Sequence, residues 1–392
     1  MKAEIDAVLR GAVERGEVPG IAFVAGNAAG TLYEGAFGRR GLDQPAAMTP
    51  DTVVWIASMT KAVTATAALR QVEAGRLSLD GPIGAVLPEL AQPQVLMGFA
   101  PEGGEAMLRP ARKPLTLRHL LTHTSGFSYD MWNPEIGVYM AARQVPGIIG
   151  CQRAALTTPL VAEPGERWEY GIGIDWAGLA VEKVTGRRLA AVLAEGVLGP
   201  LGMRDTGFRI GTDQRQRLAS MHAKAPDGTL SAIPFEVPQD PEFHMGGGGL
   251  YGTVTDYLRF CRMWLNAGTL DGARILAPET VREAMRDQIA PLEVTPMTSA
   301  MPASTHDVEL FPGMRKGWGL SFLINAEDGP GGRAAGSLAW AGLANTYYWI
   351  DPARDRAGVI ATQILPFADP TVLAAFEATE RAVYAAASHR RG

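Results

Sequence analysis

Residues 52–75 constrain the chain more than any other stretch. A short β-rich run, Thr52-Val53-Val54-Trp55-Ile56, leads directly into Ala57-Ser58-Met59-Thr60-Lys61. A long run rich in Ala and Val follows, and Gly75 closes it. A helix beginning at Ser58 would be apolar around most of its circumference, so it must be buried on most sides. Ser58 and Lys61 are three residues apart, which on a helix places them on one face, one turn apart. A serine hydroxyl is a poor nucleophile until a base takes its proton, and a lysine amine held neutral by burial or a nearby cation can be that base. A helix N-terminus adds free backbone N–H groups and the positive end of a dipole, both suited to a developing oxyanion. The competing reading is a helix-capping Ser58 and a solvated Lys61. The apolar helix around Lys61 disfavours it.

Bulk properties narrow the class. The 392 residues allow one large or two moderate domains. A hydrophobic content of 47% with 20% charged residues is ordinary for a globular chain. The net charge of −5 points to neither a nucleic-acid nor a membrane partner, and Arg390-Arg391 is too short for a basic arm. Cys151 and Cys261 are far apart and form no CxxC, which argues against a disulfide framework or a zinc site. No His/Asp/Glu cluster has metal spacing, so no metal or other cofactor is expected. Met1 to Asp6 carries acids where a signal peptide needs an apolar core, and no run reaches the length of a membrane span. A cytoplasmic protein with reduced thiols is expected.

Along the chain, Ile5 to Glu14 has a helical apolar stripe. Residues 21–25 and 31–36 read as strands around a turn at 26–30. Residues 95–99 and 106–110 read as a hairpin around Pro101-Glu102-Gly103-Gly104. Thr116 caps a short helix, and helices are expected over 173–184 and 189–197. The run Gly246-Gly247-Gly248-Gly249 is too short for a spacer and reads as a tight backbone passage beside the site. Thr253 and Asp256 form a capping box for a helix to about Asn266. A further helix is expected over 278–286. Pro291 to Pro312 has no clear period and is a candidate lid or substrate-facing loop. Strands at 318–324, 334–341, 346–350 and 358–363 precede a terminal helix at 371–387. Helices and strands at both ends suggest one sheet with helices against it, interrupted by the middle of the chain.

Several motifs, in order and across nearly the whole chain, resemble the serine β-lactamase and penicillin-binding protein superfamily on its class C side, and most of all its family VIII carboxylesterases. They are Ser58-Met59-Thr60-Lys61, Leu120-Leu121-Thr122-His123-Thr124-Ser125-Gly126-Phe127, and Pro164-Gly165-Glu166-Arg167-Trp168-Glu169-Tyr170. The glycine passage with its capped helix follows, then Gly317-Trp318-Gly319-Leu320 and Trp340-Ala341-Gly342-Leu343. The resemblance implies an α/β fold, an antiparallel sheet flanked by helices, with a mainly α-helical domain inserted. The sheet domain would use residues 1–80 and 245–392, and the insert residues 81–244. It also implies that Tyr170 shares the base role with Lys61 and returns the proton to the leaving alkoxide. The oxyanion hole would be the backbone N–H groups of Ser58 and Leu343. Trp340, Ala341, Gly342 and Tyr129 would contact substrate, and His244 would line the site.

Two departures from class C carry the substrate expectation. Its Tyr-x-Asn motif is here Tyr170-Gly171-Ile172, and its Lys-Thr-Gly motif is here Trp340-Ala341-Gly342, close to the Trp-Gly-Gly of family VIII. A site lacking that amide and that cation loses its main handles on an anionic substrate. No Gly-x-Ser-x-Gly elbow is present. The expected activity is a serine carboxylesterase that hydrolyses small, short-chain esters through an acyl-enzyme on Ser58. The alternatives are a β-lactamase, D-peptidase or amidase, an acyltransferase using the same acyl-enzyme, and a non-catalytic binding protein. Tyr170 and Trp340 also have bland readings as core aromatics. His123 reads as a polar residue satisfied at a helix end, and Asp175 and Trp176 as structural.

Overall fold

The computed structural model describes residues 1–101 and 105–388. The expected turn residues Glu102, Gly103 and Gly104 lie outside the described residues, as do Arg390 and Arg391. Helix α1 (Lys2–Glu14) is followed by strands β1 (Gly20–Gly26), β2 (Thr31–Gly41) and β3 (Gln44–Ala47). Helix α2 (Thr60–Glu73), helix α3 (Gly173–Thr185) and helix α4 (Val254–Leu265) come next. The chain ends with strands β4 (Lys316–Trp318), β5 (Leu323–Asn325), β6 (Leu338–Gly342), β7 (Thr346–Asp351) and β8 (Arg356–Ala361), then helix α5 (Pro370–Ser388). The eight strands form one sheet in the order β4-β5-β6-β7-β8-β1-β2-β3, with antiparallel neighbours throughout. Ala22 of β1 lies opposite Ala361 of β8, so the two ends of the chain are stitched at the middle of the sheet.

Strands β1, β6 and β7 are buried along their whole length. An antiparallel sheet with one wet face alternates apolar and polar residues, so continuous burial means both faces are covered. Adjacent residues of β7 report what covers them. Tyr348 packs against Tyr257 of α4 with ring centroids 4.9 Å apart. Tyr347 and Trp349 pack against Phe376 of α5 at 5.3 and 5.4 Å. Helix α1 lies against α5. Apart from α2 and α3, the described residues between β3 and α4 form shorter helices, irregular loops and small sheets. One of these pairs Met221–Lys224 with Ile364–Leu365, just beyond β8. The hairpin of Gln94–Phe99 with Ala106–Pro110 forms as expected. Among the described residues, no helix is long and apolar enough to cross a membrane.

Several local expectations are corrected. The α-helix does not begin at Ser58. Residues Ala57–Met59 form a 3-10 turn and α2 starts at Thr60, because Ala57 sits at φ +45°, off the helical path. The strand expected over 318–324 is two strands, β4 and β5, because Ser321 at φ +80° turns the chain back and Gly319 N–H bonds Phe322 O at 2.8 Å. The helix at 189–197 is α-helical only to Leu193 and ends in a π turn, Ala194–Leu198. The capping box on α4 is half formed. Thr253 Oγ1 accepts from Asp256 N–H at 3.1 Å, but the Asp256 carboxylate takes Asp205 N–H and the Thr206 hydroxyl instead.

Candidate active site

Ser58 is held on a turn that the surrounding chain grips from several sides. Just upstream, Val54–Trp55 pairs with Tyr251–Gly252. The Gln363 amide clamps Trp55, accepting its N–H at 2.9 Å and donating to its carbonyl at 3.1 Å. Trp55 Nε1 donates to Gly248 O at 2.7 Å. Downstream, Tyr257 of α4 donates to Met59 O at 2.9 Å. This over-determination holds Ala57 at a positive φ that a free chain would rarely visit. Strand β6 then comes close to the turn. A Cβ on Gly342 would lie 2.3 Å from Ile56 O, so only glycine lets the strand run beside Ser58.

Lys61 is 1% exposed on a helix buried on nearly every side. Its Nζ donates to Ser58 Oγ at 3.1 Å, to Tyr129 OH at 3.0 Å and to Gly247 O at 2.7 Å. An ammonium has three protons, and all three are used. A neutral amine has two protons and a lone pair. Gly247 O can only accept, so the lone pair must face a hydroxyl, Ser58 or Tyr129. Burial pushes the Tyr129 phenol well above its ordinary value, with Asp175, Tyr170 and Asp130 adding negative field. Tyr129 therefore stays a protonated phenol.

Tyr170 stands in the same cleft but bonds differently. Its oxygen accepts from Trp340 Nε1 at 2.9 Å, and Lys61 Nζ lies over its ring, 4.8 Å from the centroid. His123 fixes this segment. Its carbonyl accepts Glu169 N–H at 2.7 Å and its Nδ1 accepts Gly171 N–H at 3.3 Å. Its ring lies 4.5 Å from that of Tyr170. Burial first, and the Lys61 charge second, lower the His123 imidazole well below its ordinary value. It is a neutral peg, but only half as satisfied as expected: its Nε2 is buried with no hydrogen-bond partner among the described residues.

The cleft before Ser58 spans about 540 Å³, its open mouth included. Ser58, Tyr129, Tyr170, Trp340, Ala341, Gly342 and Leu343 all line it, so the structure brings these sequence-named residues together. It does not bring in His244. That ring packs on Phe208 at 4.8 Å, with Nδ1 3.3 Å from Arg188 Nε and 3.7 Å from Glu182. The segment 291–312 contributes one lining residue, Met297, and is tied down by a bridge from Met297 to Val308 and by Ala300 N–H to Met131 O at 2.8 Å. The remaining wall is apolar: Met131, Trp132, Ile148, Ile149, Met245 and Phe367. None of the lining residues carries a formal charge.

The glycine passage sits where expected, but its work is done by carbonyls. Gly246, Gly247 and Gly248 accept from Thr64, Lys61 and Trp55 respectively. Sequence reasoning missed the Lys61–Tyr129 contact and the apolar wall. Tyr129 is expected as a substrate contact, but nothing in its sequence position, two residues beyond the Leu120–Phe127 motif, marks its bond to Lys61. The wall comes from separate loops with no shared pattern.

A nucleophile, a buried amine, two phenols and close-approaching backbone can open an ester by acyl transfer. The Beta-lactamase family model matches residues 5–382. The chain belongs to the beta-lactamase family. Among its relatives, monacolin J acid methylbutanoyltransferase from Aspergillus terreus is 33% identical over 402 aligned residues, covering 97% of this chain and 95% of the relative. Lovastatin esterase from Penicillium rubens is 33% identical, covering 96% of each. The structure of a mutant simvastatin synthase from Aspergillus terreus superposes with a TM-score of 0.86 at 31% identity, covering 100% of this chain and 98% of that one. This member of the beta-lactamase family thus has the expected fold, a large antiparallel sheet with helices. It is an enzyme of the family's serine type, acting through an acyl-enzyme as a hydrolase or acyltransferase.

Proposed function

We propose that the protein is a serine carboxylesterase of the family VIII kind, acting on small, uncharged, short-chain acyl esters through an acyl-enzyme on Ser58. The observation that carries this reading is the uncharged lining of the cleft. A buried cation there would select a carboxylate, and its absence from the lining removes that selection. Ser58 Oγ attacks the ester carbonyl while Lys61 takes its proton. The N–H groups of Ser58 and Leu343 receive the oxyanion. Tyr129, held as a phenol, accepts from Lys61 and positions the amine. The Tyr170 oxygen accepts from Trp340, which leaves its own O–H available to protonate the departing alkoxide, and the Lys61 ammonium returns the Ser58 proton to Tyr170. Water or an alcohol then takes the acyl group from Ser58.

A second reading, transfer to an alcohol, is supported by the methylbutanoyltransferase among the relatives. That name also suggests a branched acyl group of this size. The test compares p-nitrophenyl butyrate with nitrocefin, then adds a hydrophobic alcohol to the ester reaction. Ester turnover well above nitrocefin turnover is expected. Nitrocefin cleaved faster than the ester would overturn the reading in favour of a β-lactamase. A new ester formed at the expense of butyrate would identify the alcohol as the preferred acceptor.

A further inference from the structure

Lys61 is a buried amine whose three hydrogen-bond partners among the described residues are uncharged oxygens. An ammonium taken out of water needs a counter-charge or it loses its proton. Asp175, on α3, is 0% exposed. Its Oδ1 accepts Gly247 N–H at 2.8 Å, and Gly247 O is the acceptor of the shortest Lys61 bond. One glycine thus joins the buried acid and the buried amine, held at its N–H by the acid and at its carbonyl by the amine. A Cβ on Gly247 would lie 2.6 Å from Asp175 Oδ2, so the carboxylate packs directly on the passage.

Hydrogen bonding accounts for only half of this carboxylate. Asp175 Oδ2 is buried with no hydrogen-bond partner among the described residues. An amide would hold Gly247 N–H as well, without the cost of burying a charge. We propose that Asp175 is a positioning residue for Lys61: it anchors Gly247 so that its carbonyl holds the amine, and its charge is the counter-ion of the ammonium form. The proposal rests on Lys61 acting as the base for Ser58.

The charged and titratable neighbours fit this role. Burial pushes Asp175 up to about 6, against an opposing pull from Lys61. Its field reaches Tyr129 and Cys151, both of which it helps to raise. Tyr170 and Asp130 add to the field on Tyr129, and His123 feels Lys61 from the far side.

The experiment is the rate at which a fluorophosphonate labels Ser58, followed from about pH 5 to about pH 10, in wild type and Asp175→Asn. Asparagine keeps an oxygen for Gly247 N–H and removes the charge. Loss of a negative neighbour disfavours the ammonium, so the acid limb of the profile is expected to move to lower pH by about one unit. Gly247→Ala, which displaces the carboxylate sterically, is expected to move the limb the same way while slowing labelling. An acid limb that superimposes on wild type in the soluble variant of the two overturns the proposal. Wild type that takes no label at any pH overturns the reading of Ser58 and Lys61, and this one with it. Because a fluorophosphonate needs no particular ester, a wrong substrate class leaves the test intact.

Discussion

At the scale of single residues, the proposed mechanism makes Lys61 the group that sets which side chains exchange protons with Ser58. Its contact with Tyr129, against a ring-face contact with Tyr170, makes the two phenols unequal. Tyr129→Phe is expected to lower kcat by about 10-fold, the size of one lost hydrogen bond to the base. Trp340→Phe removes the donor to the Tyr170 oxygen together with part of a ring packed on Trp318 and is expected to cost about 10-fold. An unchanged kcat in Tyr129→Phe would reduce that phenol to a wall of the cleft. Asp175 adds a stability signature. Its carboxyl is raised by burial from an ordinary 3.8 to about 6, so the folded protein binds this proton more tightly than the unfolded chain. Stability is therefore lost as pH rises from about 4 to about 6, and stays lost above that. Asp175→Asn escapes this loss and is expected to be more stable than wild type at pH 8 by about 2–3 kcal/mol. The gap should close towards pH 4. Thermal melts at the two pH values measure it, and a less stable variant at pH 8 would contradict the sign.

Among the elements, the last helix is fastened by one buried ion pair. Arg333, in the loop between β5 and β6, bonds Glu380 of α5 through two nitrogens, and both residues are almost fully buried. The guanidinium also lies over Phe311, Trp349 and Phe376. Its Nη1 has no hydrogen-bond partner among the described residues, so the pair is not fully compensated. Arg333→Met is expected to cost about 3–5 kcal/mol by stranding a buried Glu380. Adding Glu380→Leu should recover most of it, read by denaturant melts of the single and double variants. A double variant no better than the single would mean that the pair itself stabilises α5. Helices such as α1 and α5 were legible because an apolar stripe needs only the 3.6-residue period. The start of α2 was not, because a strained Ala57 held by Gln363 and Tyr257 leaves no local mark. The split of 318–324 was hidden for the same reason, since Ser321 shows no turn signature in composition.

Across the whole molecule, the sheet brings Gly342, near residue 340, beside Ser58, near residue 60. Motif order carried that long-range arrangement, because each motif marks a place where backbone or side chain must approach the others. The cleft wall carried no such mark. Met131, Ile148, Met245, Met297 and Phe367 converge from five separate segments, four loops and a 3-10 turn, and apolar residues in such segments look alike before folding. His244 was misjudged because nearness to the glycine passage in sequence is not nearness in space. Everything proposed for the site depends on Ser58 carrying the acyl group. The direct measurement is p-nitrophenyl butyrate hydrolysis by wild type and Ser58→Ala, with intact-protein mass taken during turnover. A fall of at least about 1,000-fold in the variant, with a butyryl adduct on the wild type alone, is the expected result. Hydrolysis that survives in Ser58→Ala would contradict it and place the chemistry on another residue.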